Sequence, residues 1–225
     1  MYDLDWSSVP GALPFLWRGM LVTLEITLVA VLAGLAWGTV LAVLRLSGSR
    51  LLVLLATGYV NAFRSIPLVM VLLWFFLLVP AALEGLLGIP RSSDTRLVSA
   101  MVAFALFEAA YYSEIVRAGI QSVPRGQADA ALALGLGRGQ VLRHVVLPQA
   151  FRNMIPLLLT QGVILFQDTS LVYVSSLADF FGVATKVGDR DGRLVELLLF
   201  AGAVYFAVSF GLSSLVKRWQ RRLAA

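Results

Sequence analysis

The chain has 225 residues, 59% of them hydrophobic and 14% charged, with a mean hydropathy of +0.85. Soluble domains run at roughly 45–50% apolar and about 25% charged, so both numbers point to the bilayer. No cysteine is present, which excludes a disulfide framework, a thiol nucleophile and a thiolate metal site, and the single histidine, His144, cannot make a metal site alone.

In chain order, the first flank MYDLDWSSVPGALPFLW carries two acids. The apolar run behind it exceeds a signal h-region of about 7–15 residues, so it reads as a retained span, Met20–Leu44. Gly34 and Gly38 form a GxxxG spacing inside it, which permits close helix approach. The next apolar segment, Leu51–Leu83, is too long for a hydrocarbon core of about 30 Å at about 1.5 Å per residue. Pro67 removes a helix donor and turns Ile66 away from helical geometry, so a break near 64–67 is expected. Leu51–Asn61 would then lie along the inner surface and Pro67–Leu83 would cross. Arg64, in NAFRSIP, becomes either an inner-interface anchor with a snorkelling head group or a cation facing the path of an anion.

Three further spans follow at Leu97–Ile120, Ile155–Ala178 and Leu194–Val216, with a long connection over 121–150. Asn-Gly hairpins and ten-residue alternating segments are absent, which argues against a β-barrel. The expected fold is an all-α integral membrane protein of five transmembrane helices, residues 1–225 forming one transmembrane domain. Lys and Arg concentrate in the 121–150 connection (Arg125, Arg138, Arg143) and at the C-terminus (Lys217, Arg218, Arg221, Arg222). Fewer lie on the other side, among them Arg18, Arg91, Arg96 and Lys186. The bias predicts an outer N-terminus and a cytoplasmic C-terminus. Because the positive charge follows the membrane rule, no nucleic-acid surface is expected.

An ionisable side chain inside a span costs roughly 2.5–3.5 kcal/mol on insertion scales, so each needs a reason. Glu108 falls near mid-depth of the third span, and Asp168 near mid-depth of the fourth. Glu108 either hydrogen-bonds a neighbouring helix or faces a path. Gln167, Asp168, Thr169 and Ser170 surround a helix turn, which wastes burial unless some of them line a water-filled route. Glu114 and Arg117 stand at i, i+3, within reach of each other. Glu108 and Glu114 are about 240° apart, so they do not form a carboxylate pair.

Catalytic and nucleotide signatures are missing. There is no G-x-x-x-x-G-K-S/T loop, no HExxH and no Ser/His/Asp context, so no catalytic residue and no metal ligand is assigned. The 126–150 stretch, GQADAALALGLGRGQVLRHVVLPQA, instead reads as an alanine-rich helix capped at Gly135, a turn, a second helix and a break at Pro148. Small side chains at Ala128, Ala130, Ala131 and Ala133 let a partner approach closely.

Asp129-Ala130-Ala131, three residues, Gly135, nine residues and Val145-x-Leu147-Pro148 resemble the EAA coupling loop of ABC importer permeases, with Asp129 and Val145 replacing the usual Glu and Ile. AYYSEIVRAGIQSVPRGQADAALALG and FRSIP resemble the polar amino acid uptake branch. FQDTSLVYVSSLADFF and GDRDGRLVELLLFAGAVYF most closely resemble permease subunits of glutamate/aspartate importers. The resemblance implies that Asp129, Ala130, Ala131 and Gly135 contact a cytoplasmic ATPase, with Leu147 and Pro148 setting the exit angle. It further implies a heterodimer with a second permease chain, two ATPase subunits holding ATP and Mg, a periplasmic amino-acid-binding protein, and a location in the bacterial inner membrane with lipid around it. No cofactor is expected in this chain. The path would be lined by Gln167, Asp168, Thr169, Ser170, Glu108 and Arg64. Glutamine as substrate and an ion-coupled carrier are the competing readings; carriers usually carry internal repeats, and none is evident.

Overall fold

The computed structural model describes residues 3–90 and 94–224, so Arg91 lies outside the described residues, as do the side chains of Arg221 and Arg222. Five described helical stretches are long and apolar enough to cross a membrane: Ser8–Arg45, Leu68–Leu87, Arg96–Gln121, Arg138–Ser175 and Leu194–Gln220.

Helix α1 (Ser8–Arg45) starts well before the expected Met20. Pro10 sits in its first turn, where backbone donors have no intrahelical acceptor, and only Pro14 lies in the interior. α1 packs most extensively on α4 (Arg96–Gln121). The GxxxG pair explains why. A Cβ on Gly38 would stand 2.7 Å from the Ala109 carbonyl oxygen, and one on Gly34 would stand 3.1 Å from the Glu108 Cβ.

The overlong second segment does break. α2 (Arg50–Ser65) ends at extended Ile66, and α3 (Leu68–Leu87) starts after Pro67. However, α2 does not lie along the inner surface. Its buried Ala56 and Val60 join Leu41 of α1 and Ala109 and Ala110 of α4 in one apolar cluster. The Tyr59 hydroxyl donates 2.7 Å to the Leu106 carbonyl, deep within α4. Small residues on both helices let α2 enter the bundle, and Arg64 is carried inward with it.

α5 (Arg125–Ala133) and the short α6 (Arg138–Val141) form the 121–150 connection. A π-helical turn, Leu142–Val146, then joins α6 to α7 (Leu147–Asp168) without interruption. Pro148 therefore does not break the chain as expected. It occupies the first turn of α7, directly after the widened turn, where a missing N–H is tolerated. Beyond Asp168 the helix tightens into a 3₁₀ stretch, Thr169–Ser175, ending at Ser176 with φ +59°.

The connection after the fourth span holds a helix the sequence reading did not expect, α8 (Phe180–Asp191), which packs between α1 and α9 (Leu194–Ala224). Asp179 caps α8 by accepting from the backbone N–H of Phe181 and Gly182, each at 3.1 Å. The Phe180 N–H donates to Thr23 Oγ1 at 3.1 Å. Gly19 of α1 allows this contact, since a Cβ there would stand 2.8 Å from the Asp179 carbonyl oxygen. Burial pushes the Asp179 carboxyl up to about 6, against the backbone donors and Lys186, which lower it. Arg193 then ties the chain start to this end of the bundle, reaching Asp5 at 3.0 Å.

Candidate functional site

A cleft of about 460 Å³ opens where the α2–α3 break faces α4 and α7. The break supplies Arg64, Ser65, Ile66, Pro67 and Leu68; α4 supplies Phe107, Glu108 and Tyr111; the α7 helix and its 3₁₀ extension supply Gln161, Ile164, Asp168 and Leu171. The break leaves Ile66 and Pro67 in extended backbone beside the cavity, and the Pro67 carbonyl accepts from the N–H of Met70 at 3.0 Å as α3 begins.

Three of the six expected path residues meet here: Arg64, Glu108 and Asp168. Glu108 is fully buried. One of its oxygens accepts from Gln161 Nε2 at 3.0 Å, and the other has no hydrogen-bond partner among the described residues. Glu108 thus bonds a neighbouring helix and also borders the cleft. Gln161 escaped the sequence reading. The signal was its spacing from Asp168, two helical turns along one face of α7.

The other three expected residues are not walls of this cleft. Thr169 is fully buried and donates 2.6 Å to the Phe166 carbonyl of its own helix. Gln167 is exposed on a different face, and Ser170 is half-buried outside the lining. A helical run of polar residues points in all directions, so only the one on the Gln161 face reaches the cleft.

Arg64 does more than anchor. Its guanidinium donates to Glu114 Oε1 at 3.2 Å and lies 5.7 Å from the Tyr111 ring centroid. Glu114 also accepts from Arg45 at 2.9 Å and from Arg117 at 2.6 Å. The expected Glu114–Arg117 pair is therefore one edge of a larger cluster, in which α1, α2 and α4 each bring a guanidinium to one carboxylate. Arg45 was unsuspected because nothing in sequence places it beside α4.

At the other end of α4, the Arg96 guanidinium grips Asp94 at 2.6 Å and holds its carboxyl down at about 2.

The 121–150 connection forms an exposed knob. Asp129 and Ala130 lie on its surface, and Leu134 is 82% exposed beside exposed Leu132. Ala131 is the exception to the expected contact set: it is buried inside the knob, where α5 packs on the helix that begins at Arg138. Gly135 follows the α5 C-terminus with φ +87°, a left-handed conformation that favours glycine, and it lies exposed at the turn. Leu147 is half-buried and Pro148 exposed at the knob's exit. The base of the knob is fixed to the bundle. Asn153 donates 2.8 Å to Ser122 Oγ, and a Cβ on Gly119 would meet the Met154 Cβ at 2.8 Å.

A bundle of membrane-grade helices with a charged cleft in its wall and a helical knob fixed to one end suits a membrane transport component. The chain belongs to the family of binding-protein-dependent transport system inner membrane components, whose family model matches residues 30–225. It is 60% identical over 224 residues to the glutamate/aspartate import permease protein GltK of Escherichia coli O6:H1 (strain CFT073), covering 100% of both chains. It is 34% identical over 221 residues to the arginine transport system permease protein ArtQ of Bacillus subtilis (strain 168), covering 98% of each. Among solved structures, an amino acid ABC transporter crystallised with histidines matches with a TM-score of 0.88 at 28% identity, covering 98% of this chain and 100% of that one. The inward-facing MetNI methionine ABC transporter shares the fold, with a TM-score of 0.67 at 18% identity over 96% of this chain and 99% of that one. The chain is the permease component of an ABC importer.

Proposed function

We propose that this permease moves glutamate and aspartate inward through the Arg64–Glu108–Gln161–Asp168 cleft. The observation that carries the reading is Arg64, a guanidinium that lines the cleft while its carboxylate partner is shared with two other arginines. Arg45, Arg64 and Arg117 share the single carboxylate of Glu114. An acidic amino acid has two carboxylates and one ammonium group. Arg64, with donors to spare, would receive a carboxylate, and Asp168 would receive the ammonium group. The 60% identity to a glutamate/aspartate permease over the whole chain supports the same substrate class.

In this reading the protein pairs with a homologous permease chain, with its N-terminus on the periplasmic side and its C-terminus in the cytoplasm. One of two ATPase subunits seats against Asp129, Ala130 and Gly135, with Leu132 and Leu134 adding apolar contact, the other seats on the partner permease, and both hold ATP and Mg. Ala131, Leu147 and Pro148 shape the knob and its exit. Closure of the ATPases would drive the paired knobs together, and the short contacts at Gly119–Met154 and Ser122–Asn153 would pass that movement to α4 and α7. The cleft walls on those helices would then rock between two arrangements, as coupled sites require.

The test is ATP hydrolysis by the reconstituted complex, stimulated by binding protein loaded in turn with glutamate, aspartate, glutamine, arginine or histidine. Stimulation by glutamate and aspartate alone is expected. Equal stimulation by glutamine would discard the substrate class and leave the permease assignment standing.

A further inference from the structure

A second cavity, remote from the cleft, lies between α1 and α8 at the end of the bundle opposite the knob. It measures about 360 Å³. Its apolar walls are Phe15, Val22, Val183 and Val187, and three cations, Arg18, Lys186 and Arg190, line it with no acid among them. Long basic side chains of this kind lay their methylene stems along apolar surface and hold their charges at its edge.

The three cations differ in how far they are already engaged. Arg190 is paired with Asp191 at 2.7 Å, and Lys186 donates one hydrogen bond to the Ser176 carbonyl at 2.9 Å. Arg18 makes no hydrogen bond or ion pair among the described residues. Phe15 stands half exposed at the groove's edge, and Trp17, beside Arg18 in the chain but on another face of α1, is 63% exposed. Exposed tryptophan next to basic residues marks the level of lipid head groups.

An apolar trough at head-group depth, edged by cations only, matches one chemistry: a phosphate with hydrocarbon attached. We propose that this groove binds an anionic phospholipid, with Arg18 and Lys186 on the phosphate and the first methylenes against Phe15, Val22 and Val183. Arg190, held by Asp191, closes the far edge. The bound lipid would brace α8 against α1, the contact that Gly19 and the Asp179 cap already make close. This site is independent of the substrate carried.

The test uses the complex of this chain with its partner subunits, stripped of lipid in a neutral detergent. Dioleoylphosphatidylglycerol, dioleoylphosphatidylcholine and inorganic phosphate are titrated separately, and melting temperature and native mass are recorded. Phosphatidylglycerol is expected to stay bound and raise the melting temperature, with the other two producing little change. Arg18→Gln is expected to melt as the wild type does without lipid, because the Arg18 guanidinium makes no hydrogen bond or ion pair and Gln keeps most of its methylene stem, and to need on the order of tenfold more phosphatidylglycerol for the same shift. Arg18→Lys should recover most of the response. Equal shifts from phosphatidylcholine would overturn the proposal, as would full reproduction by inorganic phosphate, which would indicate a soluble-anion site. An Arg18→Gln response equal to the wild type would also overturn it. If Arg18→Gln lowers the lipid-free melting temperature, the comparison passes to Arg18→Lys against wild type in retained phosphatidylglycerol, and loss of retention in Arg18→Lys overturns the proposal.

Discussion

Arg64 on α2 reaches across to Glu114 on α4 at 3.2 Å, and both sit on the rim of a structure that Arg45 and Arg117 complete. One carboxylate thus organises three guanidinium groups from three helices. The Arg45–Glu114 pair is the most protected, with side chains 10% and 21% exposed. Such a cluster fixes how α2 crosses the bundle, and it keeps Arg64 positioned at the cleft.

Replacing Glu114 by Gln removes the charge that the three arginines share and leaves them repelling one another. The purified protein should lose about 1–3 kcal/mol of stability, the range for a charged hydrogen-bond partner removed from a partly buried site. Chemical denaturation in detergent measures this. An unchanged midpoint would mean that the cluster is ornamental.

Helix proximity makes a sharper contrast between glycines. Gly38→Ala should destabilise by about 1–3 kcal/mol, because the new methyl would stand 2.7 Å from the Ala109 carbonyl oxygen and 2.8 Å from the Tyr112 Cβ. Gly11→Ala on the same helix meets nothing within 4 Å and should stabilise by about 0.5–1 kcal/mol. Thermal melts of the two variants should therefore move in opposite directions.

Asp179 predicts a pH effect. Burial holds its carboxyl at about 6 in the fold, whereas an unfolded Asp releases its proton near about 3.9. Between these values the folded chain keeps a proton that the unfolded chain has lost. The contribution of this group is therefore full below about pH 4 and is lost as pH rises through about 6. The melting temperature of the wild type should fall over that window more than that of Asp179→Asn. Parallel curves would contradict the assignment.

Ala130 lies on the outer surface of the knob and supports nothing inside it. Ala130→Arg should leave the stability unchanged within about 0.5 kcal/mol, as surface substitutions do. Co-purification of the ATPase subunits should be lost. Retained ATPase would place the docking contact elsewhere on the chain.

Much of this was legible in the sequence. Hydropathy located the five crossings, Pro67 located the break, and the spacing from Asp129 to Pro148 located the knob. What it missed has physical causes. Leu51–Asn61 looked like a surface segment because its apolar pattern is the same whether it faces head groups or small residues of another helix. Ala109 and Ala110 decide between these, and they belong to a distant part of the chain. α8 went unseen because its capping group, Asp179, and its amphipathic face lie within a connection too short to suggest a span. Pro148 signals a break in isolation, yet the π turn before it absorbs the lost donor. Of the polar run at 167–170, only Asp168 reaches the cleft, and that selection depends on the rotation of α7 against α4.

The most direct test of the account is uptake of labelled glutamate into vesicles containing the complete complex with Arg64→Gln in this chain. Binding-protein-stimulated ATP hydrolysis reports separately that the complex has assembled. Retained hydrolysis is expected, with glutamate uptake reduced about ten- to a hundredfold, the loss that follows removal of a charged donor to a carboxylate. Uptake equal to the wild type, with hydrolysis intact, would contradict the claim that the acidic substrate passes Arg64.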